Sequence, residues 1–323
     1  MEPMRSATAG LVIPVRRVVR GLALSVALGL TLVAGSTAQV PPGTVNRTEL
    51  LGDLKALSAD DMQGRRIGTP GGEKARRYVI DRFQASGIAP LAGGYSRPFT
   101  TNATTAGANV VGRIEGTLRR DRYIVVSAHY DHVGVRNGRV FNGADDNASG
   151  TAALFAFGAY FTAHPPVNSL LFVAFDGEEQ GLLGSRAFIA APPVPRTTLI
   201  VNLNVDMIGR DPNNELWVTG LKRQPFFTPI IDRVAARASV KLLAGHEDSS
   251  VRGNDWTQDS DQFAFIEAGI PGFYFGVEDA QHHHQPTDDY ETMTYPFYVR
   301  AVETLIDVIT EVDANLDAIA NRR

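Results

Sequence analysis

Apolar and polar residues alternate along this chain with two different periods. Short runs rich in β-forming residues predict strands, and longer stretches with apolar positions three or four residues apart predict helices. We expect strands at residues 108–115, 122–128, 170–175, 199–205, 216–219 and 272–276. We expect helices at residues 49–57, 73–86, 149–163, 182–190, 226–238, 260–268 and 296–319.

The order of these elements indicates the fold class. Strands that alternate with helices are typical of an α/β fold with a mostly parallel sheet covered by helices on both faces. The predicted architecture is therefore a three-layer α/β/α sandwich. We find no internal repeat, low-complexity linker or change of composition after residue 38. The sequence predicts a single domain over residues 39–323.

The N-terminal segment has the pattern of an export signal. A cluster of arginines ending at Arg20 precedes an apolar run at residues 21–34, and small residues lead to Ala38. We expect a signal peptide over residues 1–38 and a periplasmic or extracellular enzyme, by the twin-arginine or the general route. The apolar run is shorter than the roughly 20 residues of a membrane-spanning helix. No membrane partner is expected after cleavage.

Composition narrows the chemistry available to the protein. Of the 323 residues, 44% are hydrophobic and 20% are charged, which is typical of a globular protein with a sizeable core. The formal net charge of -4 provides no basic field for phosphates, so no nucleic acid partner is expected. Because the chain has no cysteine, any bound metal must be held by histidines and carboxylates.

Histidine and acidic residues follow the predicted strands at their carboxyl ends. His129 and Asp131 follow the strand at residues 122–128, and a carboxylate two residues from a histidine can hold the imidazole in one tautomer. Ligands of open α/β sheets bind at this edge, where the loops converge. A histidine at a strand end is by itself a common feature, so this pair alone does not establish a metal site.

Two further segments contain adjacent acids. Residues 143–150, Gly-Ala-Asp-Asp-Asn-Ala-Ser-Gly, predict a turn before a helix, and the two oxygens of Asp146 could bridge two cations. Glu178 and Glu179 follow the apolar strand at residues 170–175, where paired acids are costly unless a cation receives them. A solvated surface loop is the alternative interpretation of the glutamates.

The last two candidates are an acid and a histidine cluster. Asp206 lies within an apolar run, where an isolated ionised carboxylate needs a partner and a metal is the simplest one. His282, His283 and His284 form a loop after the strand at residues 272–276. Three consecutive histidines fit either a solvated turn or metal ligands.

Taken in order, these segments resemble the co-catalytic di-zinc aminopeptidases of metallopeptidase clan MH. Each motif is moderately specific, and their order together is highly specific. The resemblance covers nearly all of the mature chain and is carried by residues 64–72, 128–131, 143–150, 176–179, 184–185, 204–209, 260–261, 269–271 and 284–288. It implies a zinc exopeptidase fold of the phosphorylase/hydrolase-like type, with a mixed central sheet.

The resemblance also implies two zinc ions and their ligands. One zinc would bind His129 and Asp206, the other would bind Glu179 and His284, and Asp146 would bridge them. The family usually has a residue other than histidine directly before this ligand, whereas this chain has His283 there. His284 is therefore chosen by its His-x-Pro-x-Asp context. The roles of the two preceding histidines stay open.

The same resemblance assigns the reaction. It implies that Glu178 is the general base, acting on a hydroxide that bridges the metals, and that Asp131 orients the first histidine ligand. The peptide bond after Asp146 is expected to be cis. Asp261 would lie near the ligands, although neighbouring acids compete for that place. The implied function is a zinc aminopeptidase acting on peptides or small aminoacyl substrates.

Other functions also fit the sequence. A glutaminyl-cyclase-like acyltransferase shares the fold but typically keeps one zinc, and a non-enzymic binding protein on the same scaffold would lack the ligands. Carboxypeptidase and amidase action stay open because Arg65, Arg66, Arg210 and Arg252 have no predicted place. The side-chain preference, the native metal and the oligomeric state are not encoded in these motifs.

Overall fold

The helices and strands of the protein alternate as the sequence predicts. The computed structural model describes residues 41, 43–101 and 105–320, so the predicted signal peptide lies outside the described residues. The helices are α1 Arg47–Leu57, α2 Pro70–Ala85, α3 Gly150–Ala163, α4 Leu183–Ala190, α5 Thr228–Ala235, α6 Gln262–Glu267 and α7 Tyr295–Ala320. The strands are β1 Ala89–Pro90, β2 Ser96–Thr101, β3 Thr105–Ile114, β4 Arg119–His129, β5 Gly134–Arg136, β6 Arg139–Phe141, β7 Asn168–Phe175, β8 Leu199–Val205, β9 Glu215–Thr219, β10 Lys241–Ala244 and β11 Gly272–Gly276.

A mixed sheet forms the centre of the fold. Its strand order is β1-β3-β7-β4-β8-β11-β9-β10, and β2 also pairs with β3. Strands β7, β4, β8 and β11 run parallel, with Val126 opposite Phe172 on one side and Leu203 on the other. Strands β3 and β9 run antiparallel to β7 and β11. The prediction of a mixed, mostly parallel sheet is confirmed.

Side chains of the central strands point alternately to two cores, as the pleat of a strand requires. Ile124 and Val126 of β4 pack in the larger core, to which α1, α2, α3, α5 and α7 contribute. Val125 packs in a smaller core with Phe188 of α4 and Phe265 of α6. Helices therefore cover both faces of the sheet, and the predicted three-layer sandwich is confirmed.

Helix α2 shows how the sequence sets a local boundary. The Thr69 hydroxyl accepts a hydrogen bond from the Gly72 N–H at 3.2 Å, which caps the first turn. Ala75, Val79 and Phe83 follow at a spacing of four, and all three are fully buried. Met62, in the segment before the helix, packs in the same core as this face.

Several elements differ from the prediction. The segment expected as a loop contains the 3-10 helix Asp60–Arg65, and the helix expected at 226–238 ends at Ala235. The short strands β1, β2, β5, β6 and β10 were not predicted. They lie at the margins of the sheets, where few positions are buried and apolar periodicity is weak. In the described part of the chain, no helix is both long enough and apolar enough to cross a membrane.

The parallel strands end at one edge of the sheet. Strand β4 ends at His129, β7 ends at Phe175, and β8 ends at Val205, directly before Asp206. Strand β11 ends at Gly276, shortly before the histidine cluster. This edge brings the predicted site residues together.

Candidate metal centre

The first group of possible ligands lies at the ends of β4 and β8. The Nε2 atom of His129 is 3.2 Å from Asp206 Oδ1 and 3.3 Å from Asp146 Oδ1. All three side chains are buried and their ligand atoms converge. Bond lengths in tetrahedral zinc sites separate neighbouring ligand atoms by about 3.3–3.5 Å, so this spacing fits a divalent ion.

A second group shares the same aspartate. The Nε2 atom of His284 is 3.2 Å from Asp146 Oδ2 and 2.8 Å from Glu179 Oε2. Asp146 therefore turns one oxygen toward each group. The structure brings together all five ligands that the sequence predicts. The peptide bond between Asp146 and Asn147 is cis, as the resemblance implies.

Three more histidines lie near these groups. The Nδ1 atom of His132 is 2.7 Å from Glu179 Oε1, and its ring is fully buried. The Nε2 atom of His283 is 3.6 Å from Asp146 Oδ2, but its side chain is 48% exposed. His282 instead contacts the Thr287 carbonyl and hydroxyl. The sequence pattern assigns no role to His132, and the signal it offers is a second histidine in the segment 129–132.

Several buried polar atoms at the site have no hydrogen-bond partner within the described residues. They are Asp131 Oδ2, Asp146 Oδ2, Glu179 Oε1 and both ring nitrogens of His132. Unpaired buried polar atoms are costly, and they are rare in native proteins. Carboxylate and imidazole atoms left free in one place fit the donor set of zinc. The residues present are therefore suited to hold divalent cations.

Asp146 has the charge state that a bridging ligand needs. Burial by itself raises the pKa of a carboxyl group. The imidazoles of His132, His129 and His284 outweigh this effect and hold the pKa of Asp146 well below its usual range. Both oxygens of Asp146 are therefore available as charged ligand atoms.

Glu178 differs from the ligands. Its side chain lines the cavity but belongs to none of the ligand groups found among the described residues. Burial raises the pKa of Glu178 well above its usual range; His129 opposes this effect, while Asp206 and Asp261 add to it. A carboxyl group with a raised pKa beside a reaction site is suited to proton transfer.

Asp131 contacts its histidine differently from the expected way. His129 Nδ1 lies 3.1 Å from the Asp131 carbonyl oxygen, whereas the Asp131 carboxylate is 3.7 Å away. The carboxylate instead accepts a hydrogen bond from the Glu178 N–H at 3.0 Å. Asp131 thus connects the loop of the first ligand to the loop of the proposed base. Asp261 is fully buried nearby, and burial raises its pKa to about 7.

Arg65 lies beneath the site and is fully buried. Its guanidinium donates to main-chain carbonyls at 2.5–3.5 Å, namely those of Leu57, Tyr130, Asn142, Gly143 and Asp146. Burial lowers the pKa of Arg65 to about 10, so it stays charged at neutral pH. Arg65 joins two ligand-bearing loops and is not placed to receive a substrate carboxylate.

Asp288 fixes the turn that carries the shared ligand. Its two oxygens accept hydrogen bonds from the N–H groups of Asp145 and Asp146, at 2.9 and 3.0 Å. Arg210 pairs with Asp288 at 2.7 Å and also with Asp279. The final aspartate of the His-x-Pro-x-Asp segment is therefore a support for the site.

We expect the substitution Asp288→Asn to weaken the metal site. An amide cannot accept both N–H groups, and it leaves the buried Arg210 without part of its charge partner. Metal affinity should fall about 10–100-fold, as for other residues that support ligands. The free energy of unfolding should fall by about 3–5 kcal/mol. Calorimetric metal titration and urea unfolding measure the two effects.

Asp289→Asn is the matched control for this prediction. The Asp289 side chain accepts a hydrogen bond from Asn142 and does not bind the main-chain N–H groups of Asp145 and Asp146. We expect near-normal metal affinity. Equal losses in the two variants would contradict the role of Asp288.

A cavity of about 740 Å³ opens beside the ligands. Its apolar wall includes Trp256, Tyr274 and Met207. The Trp256 ring stacks on His246 with ring centroids 3.5 Å apart. The wall can hold the apolar part of a substrate next to the metal groups.

The charged groups of this cavity are mostly acidic. Among the described residues, no lysine or arginine lines it. Its acidic side chains are Asp146, Glu178, Glu179, Asp206, Asp259, Glu278 and Asp279. Asp259 and Glu278 neither belong to a ligand group among the described residues nor pair with an arginine, and these two acids favour an ammonium group over a free carboxylate.

Known proteins are similar to this chain in sequence. The sequence profile of peptidase family M28 matches residues 109–309. The chain is 28% identical over 231 residues to a probable zinc metalloprotease of Pyrenophora tritici-repentis, an alignment that covers 59% of this chain and 48% of that protein. It is 29% identical over 203 residues to aminopeptidase YwaD of Bacillus subtilis. This alignment covers 59% of this chain and 41% of that protein. The chain thus spans less than half the length of these relatives.

A solved structure shows the same fold. Glutaminyl cyclase from Fimbriiglobus ruber matches with a TM-score of 0.68 at 20% identity, over 85% of this chain and 97% of that one. This similarity concerns the fold alone. The side chains of the site must distinguish between the reactions that the fold supports.

Proposed function

Because this chain belongs to peptidase family M28, we propose that it is a zinc-dependent exopeptidase that removes residues from the amino end of peptides. The observation that carries this proposal is the shared aspartate. Asp146 directs one oxygen to each of two ligand groups, and Glu178 lies beside them without belonging to either. This arrangement fits a two-metal hydrolase.

The proposed metal ligands are the five residues predicted from the sequence. His129, Asp206 and Asp146 would hold one zinc, and Glu179, His284 and Asp146 would hold the other. When bound, two such ions polarise the scissile carbonyl and lower the pKa of the attacking water. The N-terminal pattern supports export of the mature chain, which we place outside the cytoplasm.

Glu178 would move the proton in this reaction. Glu178 lines the cavity outside the ligand groups, where its ionised carboxylate can take a proton from the attacking water and deliver that proton to the leaving amine. The Asp131 carboxylate holds the main chain of Glu178, and so positions the base against the loop of the first ligand.

The charges of the cavity support action at the amino end. A substrate that enters amino end first presents its ammonium group to Asp259 and Glu278, two acids of the cavity outside the proposed ligand groups. A carboxypeptidase needs a cationic partner for the free carboxylate, whereas Arg65 and Arg210 are buried and engaged with carbonyls and acids. An aminopeptidase is therefore the better fit than a carboxypeptidase.

A panel of aminoacyl-p-nitroanilides and their N-acetylated counterparts tests the proposal. We expect cleavage of the free-amine substrates, complete loss of activity with a chelator, and recovery when zinc is added back. The acetylated compounds should resist cleavage because they lack the ammonium group. Cleavage of acetylated and free substrates at equal rates would contradict an aminopeptidase, and chelator-resistant activity would contradict a metal enzyme.

Cyclisation of an N-terminal glutamine is the second candidate, because the fold is shared with a glutaminyl cyclase. The presence of two ligand groups around Asp146 favours hydrolysis, since a cyclase typically keeps one zinc. Pyroglutamate formation from a glutaminyl peptide, together with one zinc per chain, would support the cyclase. A chain that bound no metal and cleaved no substrate would point to a non-enzymic binding protein.

A further inference from the structure

A third imidazole faces the two metal groups. The Nδ1 atom of His132 is 2.7 Å from Glu179 Oε1 and 3.5 Å from Asp146 Oδ2. These three residues form a ligand group of their own. The His132 ring is fully buried.

The contact between His132 and Glu179 is not a hydrogen bond. Nδ1 and Oε1 are close, but their alignment leaves both atoms without a hydrogen-bond partner among the described residues. His284 approaches the other oxygen of Glu179 at a similar 2.8 Å. The two imidazoles also reach the same oxygen of Asp146, at 3.5 and 3.2 Å. The donor atoms of His132 and His284 thus both approach Glu179 and the same oxygen of Asp146.

The turn before the shared aspartate leaves room for this ring. Gly143 has a φ of +57°, and a Cβ atom at this position would lie 2.5 Å from Cγ of His132. Only glycine fits both the backbone conformation and the approach of the imidazole. The glycine at position 143 therefore leaves the space that the His132 ring occupies.

We propose that Nδ1 of His132 is a further protein ligand of the second metal position. This inference rests on the proposed two-metal function. The second position then has four protein ligands, whereas the first has three and keeps an open place for water or substrate. The ligands of the second position are His132, Asp146, Glu179 and His284.

The test is a Co²⁺ titration of the metal-depleted protein, followed by visible absorption. We expect two equivalents to bind to the wild type. In His132→Ala, one equivalent should bind as before, and the Kd of the other should rise by more than about 100-fold, beyond the cost of losing a group that merely supports a ligand. The matched control is His283→Ala. His283 can form a ligand group with Asp146 and His284, but its imidazole is half-exposed and makes no ion pair with Glu179 among the described residues, so this variant should keep both equivalents.

Each outcome distinguishes this inference from the proposed function. A wild type that binds no metal would overturn the proposed function, whereas two equivalents in the wild type with a loss of 100-fold or less in His132→Ala would overturn the ligand role alone. Circular dichroism shows whether the variant folds. If it does not, ¹¹³Cd-loaded wild type labelled with ¹⁵N-histidine decides. Three imidazoles coupled to cadmium are expected, and coupling that leaves out His132 would overturn the proposal.

Discussion

Asp146→Ala should lose both metal ions and its peptidase activity together. Asp146 is the residue that contacts the histidines of both groups, His129 at 3.3 Å and His284 at 3.2 Å. Without it, each position loses a charged ligand, and the remaining acids repel one another in a buried site. We expect kcat/KM to fall by at least about 10⁴, which corresponds to roughly 5.5 kcal/mol of transition-state stabilisation.

Metal analysis after dialysis and a peptide hydrolysis assay check this result. Asp145→Ala is the matched control, because it removes the adjacent acid. Asp145 accepts a hydrogen bond from the Gly209 N–H at 2.7 Å and belongs to no ligand group among the described residues. This variant should be less stable but retain both metals. Retention of two metals in Asp146→Ala would contradict the bridging role.

Glu178→Gln should separate metal binding from turnover. The amide keeps the shape of the side chain but cannot take a proton from water. Because Glu178 is not a ligand, the metal content should stay at the wild-type value. General acid–base groups typically contribute about 10² to 10⁴ in rate, so kcat should fall within that range.

Glu179→Gln provides the contrast for this prediction. The same substitution one residue later removes the charge of a ligand that contacts His132 and His284. We expect this variant to lose metal as well as activity. Parallel metal analysis and steady-state kinetics on the two variants decide the roles. Normal turnover in Glu178→Gln, or equal loss of metal in both variants, would refute the assignment of the base.

The sequence predicts the centre of the fold because local patterns determine it. Strands β7, β8 and β11 and the second half of β4 are buried, mostly apolar and flanked by helices, so their positions and their shared edge follow from periodicity. The predicted ligands at that edge stand out because their chemistry conflicts with their surroundings. Asp206, for example, is an acid at the end of a wholly buried strand.

The supporting residues could not be predicted in the same way. Asp288 lies 142 residues from the N–H group of Asp146 that it holds, and Arg65 lies 81 residues from the carbonyl of that residue. The periodicity of apolar residues reports only on neighbouring positions, so it does not reveal contacts between residues this far apart in the sequence. The sequence does not mark His132 as a ligand, because a histidine just after a strand fits its surroundings until Glu179 is placed against it.

The stacked wall of the cavity gives the protein an intrinsic optical reporter. Both tryptophans of the chain contact the same imidazole, since Trp256 stacks on His246 at 3.5 Å and Trp217 meets it edge-on at 4.6 Å. Burial lowers the pKa of His246, which keeps this ring neutral at neutral pH. Because Trp256 lines the cavity, we expect an unlabelled peptide that binds there to change the indole fluorescence.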